Sequence, residues 1–153
     1  RGTVEAGPLK TIYRQSDASP ATASIKGQAV PVVLVDITSE ITHNRRGPNA
    51  GLCTFLKEQP ELPAIVMGDF NTPADTRWFA ELKQLMRNAF AEHGAGYRPT
   101  WPIVWPSLEL DYLWVSPRVT VHRCWHGWTL ASDHRPVLAD VTIVMTDTNS
   151  VEP

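Results

Sequence analysis

The apolar positions of this chain fall into short, separated runs with two different periods. Ala29-Val30-Pro31-Val32-Val33-Leu34-Val35-Asp36-Ile37 is rich in β-branched residues. It predicts a buried strand from Val32 onward, fed by a turn at Lys26-Gly27-Gln28. Ala64-Ile65-Val66-Met67 is a second run of the buried kind, entered through a turn over residues 60–63 and broken at Gly68. Between the two, Leu52, Phe55 and Leu56 repeat at helical spacing, with Pro48 suited to a helix first turn and Pro60 beyond the end. Trp78, Phe79, Leu82, Leu85 and Met86 form another helical stripe, with Asp75 as its N-cap and an end near Asn88.

Residues 108–115, 119–125 and 137–144 read as three further strands. Residues 94–106 carry two glycines, three prolines, Trp101 and Trp105, and read as a long loop of the kind that forms lids or binding walls. Residues 1–24 are weakly patterned and read as loop or sheet edge, apart from a short strand through Ile12. A frayed tail is expected from Thr146. The order strand, helix, strand, helix and three strands predicts one α/β (α+β) domain over residues 1–153, with no repeat and no linker.

Composition narrows this picture. Of the 153 residues, 42% are hydrophobic and 20% charged, which is globular rather than disordered. The net charge of −2 argues against non-specific nucleic-acid binding through a basic surface. Two cysteines, Cys53 and Cys124, are too few for a disulfide framework and are expected as buried thiols. No run approaches the roughly 18 apolar residues of a membrane span, and nothing resembles a signal peptide. The chain opens on Arg1 without a methionine, which fits an excerpt of a longer protein or a processed product.

Three polar groups sit beside runs that should be buried: Asp69 with Asn71, Asp111, and Asp133 with His134. A buried carboxylate is costly unless paired or bound to metal, so three acids and an imidazole in such places suggest that they meet. On extended backbone, Asp69 and Asn71 would point one way and Phe70 into the core. Each group also has a plainer reading: a turn, an edge residue, a loop cap. His43, Arg45 and Arg46 could reach a substrate or form a solvated loop. Trp101 and Trp105 could stack on a base, lie against a lipid, or pack in the core or as a lid. His122 and His126 are four apart, but their neighbours read as strand and turn, which argues against a zinc site.

Gly68-Asp69-Phe70-Asn71, Leu110-Asp111-Tyr112-Leu113-Trp114-Val115-Ser116 and Ser132-Asp133-His134-Arg135-Pro136-Val137 together resemble the endonuclease/exonuclease/phosphatase superfamily of DNase I-like metal-dependent phosphodiesterases. The likeness runs from about residue 26 to about 144. It implies a DNase I-like α/β sandwich, of which this chain is one half: a mixed sheet with helices packed on one face. It implies a metal-dependent hydrolase of phosphate esters, either phosphodiesterase, nuclease or phosphatase. By that resemblance Asp69 activates water, Asn71 holds Asp69 and a phosphate oxygen, and Asp111 fixes the tautomer of His134. His134 then donates to a phosphoryl oxygen, and Asp133 ligates Mg²⁺, with Mn²⁺ as the other candidate. Arg45, Arg46 and Trp101 become substrate-binding candidates. The substrate would be a phosphate ester of a nucleic acid, a lipid head group or a sugar.

Two departures qualify this. The family's central strand usually ends in a histidine near the phosphate, and Asp36 stands at the matching place. The family domain is also a sandwich of two halves, and the first half supplies a metal-binding glutamate for which this chain has no match. An isolated half would expose an apolar sheet face. The expectation is therefore a partner, either a complementing N-terminal half or a second copy in a homodimer. The alternative function is a non-catalytic interaction or pseudoenzyme half-domain.

Overall fold

The computed structural model describes residues 2–40 and 44–144; His43 and the tail expected from Thr146 lie outside the described residues. Strand β3 (Ser16–Ile25) and strand β4 (Gln28–Asp36) form a long hairpin closed at Lys26 and Gly27, where φ is positive at 52° and 79°. Helix α1 (Arg46–Lys57) then crosses over to β5 (Ile65–Asp69), which lies parallel to β4. Strand β8 (Asp111–Val115) pairs antiparallel with β5 on its other side. Short strands complete this seven-stranded sheet: β1 (Thr3–Ala6) and β2 (Lys10–Tyr13) on β3, and β6 (Arg87–Asn88) on β8. A three-stranded sheet of β7 (Gly94–Ala95), β9 (Val119–His126) and β10 (Val137–Ile143) packs nearby.

Helix α1 forms as its pattern requires. Leu52, Cys53, Phe55 and Leu56 share its buried face, and Lys57 sits in its last turn, where a cation complements the dipole. Gly51 is needed for close packing, since a Cβ there would lie 2.5 Å from the Ile12 carbonyl oxygen on β2. Both cysteines are buried thiols, as expected.

Two expectations are corrected. In residues 2–24, β1 at the sheet edge and β2 through Ile12 agree with the expectation, but residues 16–24 are not loop: they belong to β3, which pairs with β4 over residues 17–25 and carries β1 and β2. Its serine, alanine and threonine side chains give little hydrophobic signal, so the strand exists through pairing rather than propensity. The second helix is also broken. A 3₁₀ turn (Arg77–Phe79) begins at Thr76 rather than Asp75, and α2 covers only Leu82–Leu85. Met86 then turns extended, at φ −142° and ψ 160°, so that β6 can pair with β8. Phe79, Leu82 and Met86 still reach the core. Sheet burial, not helical continuity, sets that backbone. Helix α3 (Ala89–His93) follows, capped by the Asn88 side chain, which accepts from the Ala91 amide.

The main sheet separates two apolar clusters. One lies under α1 and the Phe79 turn and holds Val33, Val35, Ile37, Val66, Phe70, Tyr112 and Trp114. The other faces α3, β9 and β10 and holds Val30, Val32, Leu113, Val115, Val119, Val121 and Cys124.

Candidate active site

Cross-strand register assembles the site. Leu34, Met67 and Leu113 are side by side on β4, β5 and β8, and Asp36, Asp69 and Asp111 form the parallel row two residues further on. Register neighbours share a face of the sheet, so this alternation sends the three aspartates to one side and Val35, Phe70 and Tyr112 to the other. Gly68 lets β4 and β5 meet tightly just below the row. Its φ is 140°, and a Cβ would stand 2.0 Å from the Val35 carbonyl oxygen. Phe70 is fully buried, edge-on to both Phe79 and Tyr112.

Asn71 meets Asp69, but not by strand alternation. β5 ends at Asp69, and Asn71 adopts the left-handed region with φ 43°. That turn lets the Asn71 amide donate to Asp69 Oδ1 at 2.8 Å, while Nδ2 donates to Asp69 Oδ2 at 2.9 Å and to the Ile37 carbonyl at 2.7 Å. Asparagine tolerates this conformation better than most residues. The following turn is anchored by Tyr112, whose hydroxyl donates to the Thr72 carbonyl at 2.8 Å.

Across the sheet, His134 Nδ1 donates to Asp111 Oδ2 at 2.8 Å, and His134 Nε2 lies 4.0 Å from Asp69 Oδ2. Burial works against the imidazolium. The Asp111 hydrogen bond and the charges of Asp111, Asp69 and Asp133 outweigh it and raise the His134 pKa. Burial also raises the Asp69 carboxyl to about 6, with Asp111 and Asp36 adding to the shift and the Asn71 amide opposing it. Both shifts run upward: the carboxyl by burial, the imidazole by its carboxylate neighbours.

Asp69, Asn71 and His134 open on a cleft of about 830 Å³, lined also by Asp36, Ser39, Arg45, Trp101 and Asp133, while Asp111 lies behind His134 and lines the neighbouring groove. Asp133 stands on its exposed rim, where its Oδ2 accepts from Trp101 Nε1 at 3.1 Å. Arg45 lines the cleft, with Nη1 bonded to the Thr38 carbonyl. Arg46 is exposed and lies outside the cleft lining. Trp105 is 82% exposed rather than packed as a lid. His122 bonds Thr142 and His126 stacks on Phe90, so the two histidines serve separate surroundings.

Among the described residues, Asp69, Asp111 and His134 bring potential ligand atoms within 4.8 Å of one another, a group that could hold a metal ion. Its composition leans to carboxylate oxygen, and Asp36 and Asp133 add two more carboxylates along the cleft. That donor set fits a hard divalent cation better than zinc. Sequence reading overlooked Thr100. Its fully buried Oγ1 accepts from the Leu110 and Asp111 amides at 3.0 and 3.3 Å, and no local motif marks it.

A mixed sheet with α1 on one face, α3 and a small second sheet on the other, and an acid–amide–imidazole cleft at one end defines a class, the DNase I-like α/β fold. The model of the Endonuclease/Exonuclease/phosphatase family matches residues 18–134, and the chain belongs to that family. Its fold is similar to that of the mannosyl-6-phosphatase Bt3783 of Bacteroides thetaiotaomicron, at 14% identity and TM-score 0.69, covering 92% of this chain and 67% of that one. It is similar to the human Nocturnin catalytic domain at 17% identity and TM-score 0.66, covering 93% and 59%. It is likewise similar to a humanized D. rerio TDP2 at 17% identity and TM-score 0.65, covering 93% and 68%. The chain therefore spans 59 to 68% of the length of these three proteins. No curated protein sequence matches it.

Proposed function

We propose that this chain is the C-terminal half of a metal-dependent phosphate-ester hydrolase. The observation that carries the reading is the 2.8 Å His134–Asp111 hydrogen bond, set opposite the Asn71-held Asp69 carboxylate in one cleft. Asp69, with its pKa near 6, orients the attacking water and takes its proton at neutral pH. Asn71 fixes the Asp69 carboxylate through its backbone amide and Nδ2; both Nδ2 protons are engaged, by Asp69 Oδ2 and the Ile37 carbonyl, so its role is to hold Asp69 rather than to donate to a phosphate oxygen. Asp111 accepts the Nδ1 proton of His134 and favours the imidazolium, whose Nε2–H then donates to the phosphoryl group as negative charge builds. Asp133 would hold the divalent cation, Mg²⁺ or Mn²⁺. When bound, that cation neutralises charge on the phosphoryl oxygens. Arg45 and Trp101 would contact the substrate from the cleft walls.

The open side of the sheet supports the matching partner proposal. Leu34 and Leu138 are 36% and 38% exposed, beside a groove of about 430 Å³ shared with Met67, Leu113 and Val137. A complementing N-terminal half, or a second copy, would cover this surface.

The test is hydrolysis of a generic phosphodiester, a sugar phosphate and plasmid DNA with Mg²⁺, run on the chain and on Asp69→Ala. Loss of a positioned base predicts a fall of about 10² to 10⁴ in rate. Equal signals from both proteins would leave the non-catalytic reading standing.

A further inference from the structure

Arg135 follows His134 in the chain, yet its side chain turns away from the cleft and is 4% exposed. A buried guanidinium normally finds a carboxylate. Here four donated bonds go to carbonyls instead. Nε bonds Gly127 at 3.0 Å, Nη1 bonds Tyr97 at 2.9 Å and Pro99 at 2.7 Å, and Nη2 bonds His126 at 2.8 Å. The guanidinium also lies over the Tyr97 and Trp128 rings, at 5.7 and 4.7 Å from their centroids. One cation thus joins the 97–99 loop, the end of β9 and the segment that presents His134. The rigid fork of arginine, with its fixed set of donors, suits this role as lysine would not.

The backbone continues the connection. The Arg135 amide donates to the Thr100 carbonyl at 2.8 Å, and the Thr100 hydroxyl accepts from the Asp111 amide. Thr100 therefore touches the first residue of β8 through its side chain and the residue after His134 through its carbonyl. Both members of the Asp111–His134 pair hang from this buried node.

We propose that Arg135 and Thr100 are positioning residues that set the geometry of the Asp111–His134 pair. This deepens the reading of that pair as the phosphoryl-facing dyad and rests on it for its catalytic meaning. It also makes a claim about the imidazole that holds without turnover: the node keeps the proton of neutral His134 on Nδ1. Misplacement of a reacting group by about 1 Å is enough to cost about a hundredfold in rate.

The test compares Arg135→Lys and Thr100→Val with a core control, Leu56→Ala, in the last turn of α1 and outside the cleft lining. The readout is the ¹⁵N shifts of the His134 ring at pH 9, which report the tautomer, together with melting temperature, kcat and KM. The expected result is a wild-type pattern with Nδ1 protonated, unchanged in Leu56→Ala and shifted toward a mixed tautomer in the other two. Where hydrolysis is measurable, kcat should fall about 10- to 100-fold with KM within about threefold. Thr100→Val keeps the side-chain shape and so reports even where Arg135→Lys fails to fold. A wild-type tautomer pattern in Thr100→Val and in any folded Arg135→Lys would overturn the proposal, as would the same shift in Leu56→Ala. A wild-type chain with the expected ring shifts but no hydrolysis would sink the hydrolase reading and leave this one standing.

Discussion

The two faces of the main sheet are built from the same three central strands, yet they are finished to different degrees. Beneath α1, Val33, Val66, Phe70, Tyr112 and Trp114 are almost wholly buried and the aromatic rings interlock. On the other face, α3, β9 and β10 cover the end near Val115, while Leu34 and Met67 near the cleft stay partly exposed. The aspartate row belongs to this second face, one step beyond Leu34, Met67 and Leu113. The candidate site therefore sits at the border between a closed core and an open surface. The closed face gives it rigidity, and the open face leaves room for whatever completes it.

The strongest way to break this contrast is to cut one large side chain from each face. Phe70→Ala should cost about 3 to 5 kcal/mol, because a fully buried ring leaves a cavity that packed neighbours cannot fill. Met67→Ala, on the half-open face, should cost clearly less than the 2 to 5 kcal/mol typical of buried methionine, about 1 kcal/mol. Urea unfolding of both variants gives the comparison. Equal losses would mean that the open face is as well packed as the closed one.

A smaller effect is predicted at the border itself. The folded Asp69 carboxyl has a raised pKa, so its contribution to stability is full below the unfolded carboxylate range and is lost as pH rises through about 6. Asn cannot titrate. The stability of Asp69→Asn relative to wild type should therefore shift in the variant's favour between pH 4 and pH 8, by about 2 to 3 kcal/mol. Any loss of the bond from Asn71 Nδ2 adds an offset common to both pH values. A difference that stays flat with pH would remove burial as the cause of the raised pKa.

Much of the site was legible because its residues interrupt apolar runs. Asp69 and Asp111 interrupt apolar runs and His134 stands just before one, and burial chemistry alone says that they should meet. Their meeting distance was not legible, since it depends on the register of β5 against β8 and on a left-handed turn at Asn71. The turn defeated the simple strand alternation expected for Asp69 and Asn71, although the resulting contact is closer than alternation would give. Strand β3 escaped notice because serine and alanine carry no periodic signal and the pairing partner supplies the order. The 75–88 helix misled for the opposite reason: its stripe is real, but burial of Phe79, Leu82 and Met86 is met by three short pieces. Thr100 and Arg135 had no local mark at all. Their function comes from hydrogen bonds between segments about ten to forty residues apart.

The least disruptive change should speak most directly to the open face. Leu34 lies on β4 within the row Leu34–Met67–Leu113 and is more than a third exposed, so a charge there is hydrated rather than buried. Lysine is the better choice, since Asp36 lies two residues along on the same face and would be repelled by an acid. Leu34→Lys should move unfolding free energy by no more than about 0.5 kcal/mol, the range of surface changes. Its effect should fall on association. The wild-type chain is expected to sediment above its monomer mass, or to bind a complementing N-terminal half, through this face. The variant should sediment as a monomer and bind that half more weakly. A wild-type chain that is a stable monomer with no affinity for such a half would mean that the open face needs no cover. A variant that loses as much stability as Phe70→Ala would mean that Leu34 belongs to a core after all, and the distinction between the two faces would fall with it.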